Sequence, residues 1–177
     1  DASVLADEHA RPVVTLTLNA PERRNAISSF ADCDEVEDAC RRIARDDSLR
    51  CVIVTGADPA FCAGLDLKEL GATGGIMGGG RAKAEAARRG GPIPRMDTPL
   101  IGAINGAAIT GGLEIALNCD FLVASERALF GDTHARVGLQ PGWGGAVLLA
   151  EAIGVRRARE MSFTGNFVAA DEALRIG

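Results

Sequence analysis

Residues 100–120, LIGAINGAAITGGLEIALNCD, constrain the fold more than any other part of the chain. Leu100–Ile104 is short and apolar and predicts a buried strand, and small residues and a Gly-Gly pair lead from it into a helix. Glu114 lies in the first turn of that helix. Glycines at a helix entrance expose backbone N–H groups, which together with the helix dipole can polarise an oxygen beside a carboxylate. This segment is therefore the first candidate for a reactive site.

The rest of the chain alternates strands with helices. Apolar or β-branched runs predict strands over Val13–Leu18, residues 51–55, Phe121–Ala124 and residues 128–130. Apolar residues at three- and four-residue spacing predict a helix over residues 28–46. Shorter helices are predicted over residues 66–70, 81–88, 143–152, 155–162 and 169–176. The alternation indicates an α/β fold with parallel strands joined by crossovers. A chain of 177 residues is long enough for one domain with its own core.

Composition excludes several classes of function. A net charge of −5 and a pI of about 5.1 argue against non-specific nucleic-acid binding. No apolar stretch approaches the roughly 20 residues of a membrane span. The five cysteines contain no CxxC pair, which argues against disulfides and a zinc site and favours the reducing cytoplasm. No metal-ligand spacing surrounds His9 or His134.

Two loops that follow apolar strands carry glycine among small residues. Residues 58–66, DPAFCAGLD, follow the strand at 51–55, and residues 105–112 follow Leu100–Ile104. In open parallel sheets, ligands bind at such strand-end loops. A tight turn explains each loop by itself. If the two strands are neighbours, however, N–H groups from both loops can converge on one carbonyl oxygen and form an oxyanion hole.

Glu114 has a structural and a chemical interpretation. Acidic residues are favoured in the first turn of any helix. The neighbours Leu113 and Ile115 nevertheless predict a helix that is buried nearly all round, and a desolvated carboxylate there is suited to proton transfer. The Gly-x-Ser-x-Gly pattern of a serine nucleophile is absent from the sequence. The site is therefore interpreted as a base beside an oxygen-polarising loop.

Four blocks of sequence match a known family in the right order and nearly from end to end. They are PERRNAIS (residues 21–28), FCAGLDLKEL (61–70), PLIGAINGAAITGGLEIALNCDFLVAS (99–125) and LFGDTHARVGLQPGWGG (129–145). Together they closely resemble the enoyl-CoA hydratase/isomerase, or crotonase, superfamily. The resemblance implies a crotonase (ClpP-like) spiral of ββα units with surrounding helices, and a homotrimer or dimer of trimers. It also implies a single core domain over residues 1–177 without the family's usual C-terminal helical region.

The resemblance implies roles for individual residues. The backbone N–H groups of Leu65 and Gly111 would hold the thioester oxygen of an acyl-CoA, and Glu114 aligns with the first of two catalytic glutamates. Contacts to coenzyme A are implied for Arg24, Ala26, Ala63, Asp66, Leu67 and Lys68, with Lys68 near a phosphate. No metal is implied, and coenzyme A enters as part of the substrate, so no separate cofactor is expected.

His134 stands where the hydratase pattern has its second glutamate, twenty residues after Glu114. Imidazole can activate water or deliver a proton, so a Glu/His pair can still hydrate a 2,3 double bond. Glu114 would then activate water, and His134 or a second water would handle the other proton. A purely structural role for His134 is the alternative. Three functions stay open: an enoyl-CoA hydratase, another crotonase reaction (thioester hydrolysis, decarboxylation or C–C cleavage), and an acyl-CoA-binding protein without catalysis.

Overall fold

The computed structural model describes residues 4–8, 12–73 and 91–177. In these residues the strands form two sheets, of five and four strands. The larger sheet has the order β1-β2-β3-β5-β7, and the smaller has the order β4-β6-β8-β9. The strands are β1 (Val4–Glu8), β2 (Val13–Leu18), β3 (Cys51–Gly56), β4 (Ala60–Cys62), β5 (Leu100–Ile104), β6 (Ala107–Ile109), β7 (Phe121–Ala124), β8 (Leu129–Gly131) and β9 (Val168–Ala169).

Six α-helices and two 3-10 helices lie in the described residues. The α-helices are α1 (Phe30–Ile43), α2 (Leu67–Thr73), α3 (Gly111–Leu117), α4 (Gly145–Ile153), α5 (Val155–Thr164) and α6 (Ala170–Ile176). The 3-10 helices are Pro21–Arg23 and His134–Val137. The helix predicted over residues 81–88 lies outside the described part of the chain.

Successive pairs of strands build the fold as a spiral. The pairs β3–β4, β5–β6 and β7–β8 each place one strand in the larger sheet and the next in the smaller sheet. Strands β2, β3, β5 and β7 run parallel, as do β4, β6 and β8. Helices α2 and α3 follow the first two pairs and complete two ββα units. The expected α/β spiral is confirmed, and it brings the ends of β4, β6 and β8 side by side.

One hydrophobic core joins the larger sheet and α1 to the smaller sheet and α3–α5. Strands β2 and β3 alternate buried and half-buried residues, so their buried side chains share one face of the sheet. Helix α1 buries Cys33, Val36, Ala39, Cys40 and Ile43 at the three- and four-residue spacing that the sequence predicts. It begins at Phe30, two residues later than predicted, because the side chains of Ser29 and Asp32 form a capping box there.

Asn25 fastens the loop after β2 to the start of the smaller sheet. It is 2% exposed and has a φ of 57°, a left-handed conformation that asparagine tolerates. Its side-chain amide donates hydrogen bonds to the carbonyls of Ala57, Ala60 and Phe61, and its oxygen accepts one from the N–H of Ala20. The loop that contains Arg24 and Ala26 therefore has a fixed position against β4.

Replacing Asn25 by alanine is expected to lower the free energy of unfolding by about 3 kcal/mol, because buried backbone groups lose their partners. Chemical denaturation followed by circular dichroism measures the change. Asn166 is exposed, and its replacement by alanine should cost less than about 0.5 kcal/mol. Equal losses for the two variants would contradict the anchoring role of Asn25.

Candidate active site

The two glycine loops predicted from the sequence meet at the ends of β4 and β6. Gly64 has a φ of +87°, and a Cβ placed on it would lie 2.7 Å from the carbonyl oxygen of Ile109 and 3.1 Å from the nitrogen of Gly111. Only glycine allows the two backbones to come this close. Leu65, the next residue, pairs with Ile27 through hydrogen bonds made by its neighbours on either side. The structure therefore places Gly64, the residue before Leu65, next to Gly111 at the start of α3.

Thr110 connects β6 to α3 in a strained conformation, with a φ of 55° and a ψ of −113°. Two contacts hold it. Its N–H donates to the carbonyl of Gly131, and its hydroxyl lies 2.6 Å from that of Thr133. This conformation sets the direction in which the chain enters α3, and with it the position of Gly111.

Glu114 is buried in α3 with its two carboxylate oxygens in different surroundings. The side chain is 4% exposed. Oε1 accepts hydrogen bonds from the N–H groups of Trp143 and Gly145, at 2.7 and 2.9 Å. Oε2 lies 3.5 Å from Nε2 of His134. Oε1 is thus anchored by backbone donors, and Oε2 is the oxygen placed to exchange a proton.

His134 lies opposite Glu114 and is held from its other side by Asp132. Nδ1 of the ring is 2.7 Å from Oδ1 of Asp132, which also accepts from the N–H of His134 at 3.2 Å. Oδ2 of Asp132 accepts from the hydroxyl of Ser162 in α5 at 2.5 Å. His134 and Asp132 are 7% and 6% exposed. A buried row of polar groups therefore runs from Ser162 to Glu114.

The charges of this row favour a protonated histidine. Burial alone would lower the pKa of His134, but hydrogen bonds and charge interactions with Asp132 and Glu114 outweigh it and raise the pKa to about 9. The hydrogen bond with His134 lowers the pKa of Asp132 to about 2, against the opposing effect of burial, and Ser162 adds to the lowering. At neutral pH, His134 is an imidazolium.

Stability is expected to fall as the pH rises through the pKa of His134. A pKa of about 9 in the folded chain, against about 6.5 in the unfolded chain, stabilises the fold fully below pH 6.5 and is lost towards pH 9. Allowing for solvent screening, we expect a loss of about 2 kcal/mol. Urea unfolding at pH 6.0 and 9.5 measures it. His134→Gln should remove most of this pH dependence, and an unchanged dependence would contradict the assignment.

A small cavity opens between Glu114 and His134. Apart from these two residues and Asp132, its lining residues are Thr110, Leu113, Leu117, Pro141, Gly145 and Leu149. None of those six carries a titratable group, so the acid–base chemistry of the cavity rests on the two carboxylates and the imidazole. Gly145 cannot be larger, because a Cβ there would lie 2.9 Å from Cγ of Glu114.

The residues expected to contact coenzyme A lie on two adjacent segments. The segment around Arg24 and Ala26 joins the loop around Ala63 through the hydrogen bond from the N–H of Ala63 to the carbonyl of Arg24, at 3.0 Å. Arg24, Leu67 and Lys68 are exposed, whereas Ala26 is buried. Asp66 caps α2, since its carboxylate accepts from the N–H groups of Lys68 and Glu69. Although slight burial opposes it, these bonds lower the pKa of Asp66.

The cysteine nearest the glycine loops is not a nucleophile. Cys62 is fully buried, and its thiol donates to the carbonyl of Asn25 at 3.0 Å. Burial raises the pKa of this thiol to about 12, so the reactive thiolate is absent at neutral pH. The candidates for the chemistry of the site are therefore Glu114 and His134.

Three contributors to the site were missed by the sequence analysis. Asp132 stands two residues before His134, and that spacing is the only sequence signal for it. Ser162 comes from a distant helix and has no such signal. Trp143 was predicted to begin a helix, but α4 begins only at Gly145, since Gly144 adopts a φ of 97°. The N–H groups of Trp143 and Gly145 are thereby free to bind Glu114.

Comparisons with known proteins show which family the chain is similar to. The family model described as enoyl-CoA hydratase/isomerase matches residues 8–177. The chain is 39% identical over 168 residues to the probable enoyl-CoA hydratase 1, peroxisomal, of Arabidopsis thaliana, covering 93% of this chain and 60% of that protein. It is 36% identical over 173 residues to the short-chain-enoyl-CoA hydratase of Clostridium acetobutylicum, covering 93% of this chain and 63% of that protein.

Solved structures match as well. The crystal structure of the enoyl-CoA hydratase from Mycobacterium tuberculosis H37Rv superposes with a TM-score of 0.83 at 49% identity, covering 99% of this chain and 72% of that one. The chain spans about three-fifths of the length of the two curated relatives named above.

In the described residues, no helix is long and apolar enough to cross a membrane, and no group of three or more His, Cys, Asp or Glu side chains could hold a metal ion.

Proposed function

The chain belongs to the enoyl-CoA hydratase/isomerase family, and from that membership we propose that it is an enoyl-CoA hydratase. It adds water across the 2,3 double bond of an acyl-CoA thioester, in fatty-acid or related acyl-CoA metabolism. One observation carries the proposal: a carboxylate oxygen of Glu114 and a ring nitrogen of His134, both on buried side chains, face each other at 3.5 Å beside one cavity. A base and an acid so close together suit a reaction that takes one proton and gives another.

The thioester oxygen is proposed to bind at the backbone N–H groups of Leu65 and Gly111. The close contact between Gly64 and Gly111 supports this placement, because it brings the two loops within reach of one oxygen. Negative charge develops on that oxygen when water attacks C3. Hydrogen-bond donors aimed at it typically contribute about 10²–10³ in rate each.

The proton transfers follow from the positions of the two side chains. Oε2 of Glu114 takes a proton from water as the water oxygen bonds to C3. The electron pair of the 2,3 double bond moves to the thioester oxygen and forms an enolate. When the enolate collapses, C2 takes the proton from Nε2 of His134. The product is a 3-hydroxyacyl-CoA, and it leaves Glu114 protonated and His134 neutral.

The pair then returns to its starting state by itself. After the product leaves, the proton on Oε2 of Glu114 can pass to Nε2 of His134 across the gap of 3.5 Å. The high pKa of His134 makes this transfer favourable. No external acid or base is needed between turnovers, and no cofactor beyond the coenzyme A of the substrate enters the cycle.

Coenzyme A is proposed to lie along the segments that contain Arg24, Ala26, Ala63 and residues 66–68. The exposed Arg24 and Lys68 supply positive charge for its phosphates. We further propose a homotrimer or dimer of trimers, in keeping with three exposed apolar side chains near the end of the chain, Phe163, Phe167 and Leu174, at 78%, 53% and 85% exposure. The five free cysteines suit a reducing compartment, and we propose the cytoplasm.

Hydration of crotonyl-CoA by the purified protein tests the function. Loss of the enoyl-thioester absorbance, with a product heavier by one water in the mass spectrum, is the expected result. Free coenzyme A without the hydrated product would indicate thioester hydrolysis, and a lighter product from another acyl-CoA would indicate decarboxylation or C–C cleavage instead. Tight binding with no product from a panel of acyl-CoA thioesters would indicate a binding protein, and either outcome would overturn the proposal.

A further inference from the structure

Asp132 lies behind the proposed acid, His134, and both of its carboxylate oxygens accept hydrogen bonds. It follows β8 directly and is 6% exposed. Oδ1 accepts from both the ring and the backbone N–H of His134, and Oδ2 accepts from the hydroxyl of Ser162. With both oxygens engaged, the carboxylate cannot rotate without breaking a buried hydrogen bond. The ring nitrogen Nδ1 therefore meets a fixed acceptor.

The contact on the other side of the ring depends on that acceptor. Nε2 of His134 faces Oε2 of Glu114, and a carboxylate oxygen only accepts hydrogen bonds. A neutral ring that donated Nδ1–H to Asp132 would present the lone pair of Nε2 to this oxygen, which is repulsive. A ring protonated on both nitrogens satisfies Asp132 and Glu114 together.

We propose that Asp132 is a positioning residue that keeps His134 doubly protonated with Nε2–H directed at the reaction site, and that Ser162 fixes Asp132 from helix α5. The inference deepens the proposed function and depends on it for the catalytic meaning of His134. The effect of Asp132 on the protonation and orientation of the His134 ring can be measured without substrate.

The charged groups around His134 agree with this role. Glu114 faces it from α3 and Asp132 from its own segment, and the remaining lining residues of the cavity carry no titratable group. The two carboxylates raise the pKa of His134 to about 9 despite burial. Glu114 alone would still be present in an Asp132→Asn variant, so that variant separates the two contributions.

Nitrogen NMR of the imidazole ring tests the proposal directly. The chain has two histidines, so in ¹⁵N-labelled protein carrying His9→Gln the imidazole nitrogen signals come from His134 alone. We expect both ring nitrogens to be protonated at pH 7 and the ring to titrate near pH 9. Asp132→Asn keeps the shape but removes the charge, and it should bring the pKa of His134 below about 7. Asp171→Asn, an exposed change on α6, should leave it unaltered.

Kinetics with crotonyl-CoA give the second readout. Asp132→Asn should lower kcat by about 10²-fold while KM changes by less than about threefold, because the loss is in proton delivery rather than binding. Ser162→Ala should lower kcat by less than about tenfold. If Asp132 acts through His134, the double variant Asp132→Asn with His134→Gln should be no slower than His134→Gln alone.

The outcomes distinguish failure of the positioning role of Asp132 from failure of the proposed function. A His134 that titrates near pH 6.5 in the His9→Gln protein, or whose titration Asp132→Asn leaves unchanged, overturns the positioning role. Additive losses in the double variant overturn it as well. If Asp132→Asn does not fold, the titration of the His9→Gln protein and of its Ser162→Ala variant decides. The expected NMR result without hydration of any enoyl-CoA would refute the proposed function and leave the positioning role supported.

Discussion

Replacing Glu114 by glutamine is expected to lower kcat for crotonyl-CoA hydration by about 10³–10⁴-fold, because the site loses the group proposed as the base for water. The change should leave the fold intact. The amide oxygen of glutamine can still accept the N–H groups of Trp143 and Gly145, which hold Oε1 in the native protein. KM should change by less than about threefold, since the carboxylate acts in the transition state rather than in binding.

Glu126→Gln is the matched control for this variant. Glu126 is exposed and lies outside the cavity, so the same loss of charge there should leave kcat within about twofold of the native value. Thermal unfolding of both variants shows whether each is folded. Native turnover by Glu114→Gln would contradict the proposed mechanism even if the protein hydrates crotonyl-CoA.

Replacing Gly64 by alanine is expected to lower kcat by about 10²–10³-fold, the effect of losing an oxyanion donor. The new Cβ would lie 2.7 Å from the carbonyl oxygen of Ile109 and 3.1 Å from the nitrogen of Gly111. Gly64 also has a φ of +87°, which alanine adopts only with strain. The two backbones must therefore separate, and the N–H groups of Leu65 and Gly111, the proposed oxyanion donors, should move apart.

Gly142→Ala provides the control for the steric argument. A Cβ on Gly142 meets no atom within 4 Å, although the residue lies in the same block of sequence as Trp143 and Gly145. Its kcat should stay within about twofold of the native value. Stability is measured in parallel, because Gly64→Ala should also lower the free energy of unfolding by about 1–3 kcal/mol. A Gly64→Ala protein with native kcat would exclude an oxyanion site at this contact.

The sequence predicted those parts of the fold that rest on local patterns. The apolar runs at β2, β3, β5 and β7 form strands, and the spacing of Cys33, Val36 and Cys40 predicts the buried face of α1. Strand β1 was missed. Strands β4, β6 and β9 were missed as well, because two or three residues rarely show alternation. Their partners are far away in the chain, so only the assembled sheet defines them.

The candidate site divides in the same way. Glu114 and the glycine loops were found because the residues that indicate their chemistry are adjacent in the sequence. The partners of Glu114 and His134 depend on contacts between distant segments. The N–H of Trp143 reaches Glu114 across 29 residues of sequence, and Ser162 reaches Asp132 across 30. No local pattern reports such contacts, and the protonation of His134 follows from them.

A crystal structure of the protein with a bound, non-hydratable acyl-CoA tests the central claim most directly. We expect the thioester oxygen within about 3 Å of the backbone nitrogens of both Leu65 and Gly111. The C2–C3 bond should then lie beside the pair, with Oε2 of Glu114 and Nε2 of His134 each within about 3.5 Å of it or of a bridging water. A thioester bound away from these nitrogens, or a His134 ring turned away from C2, would contradict the account.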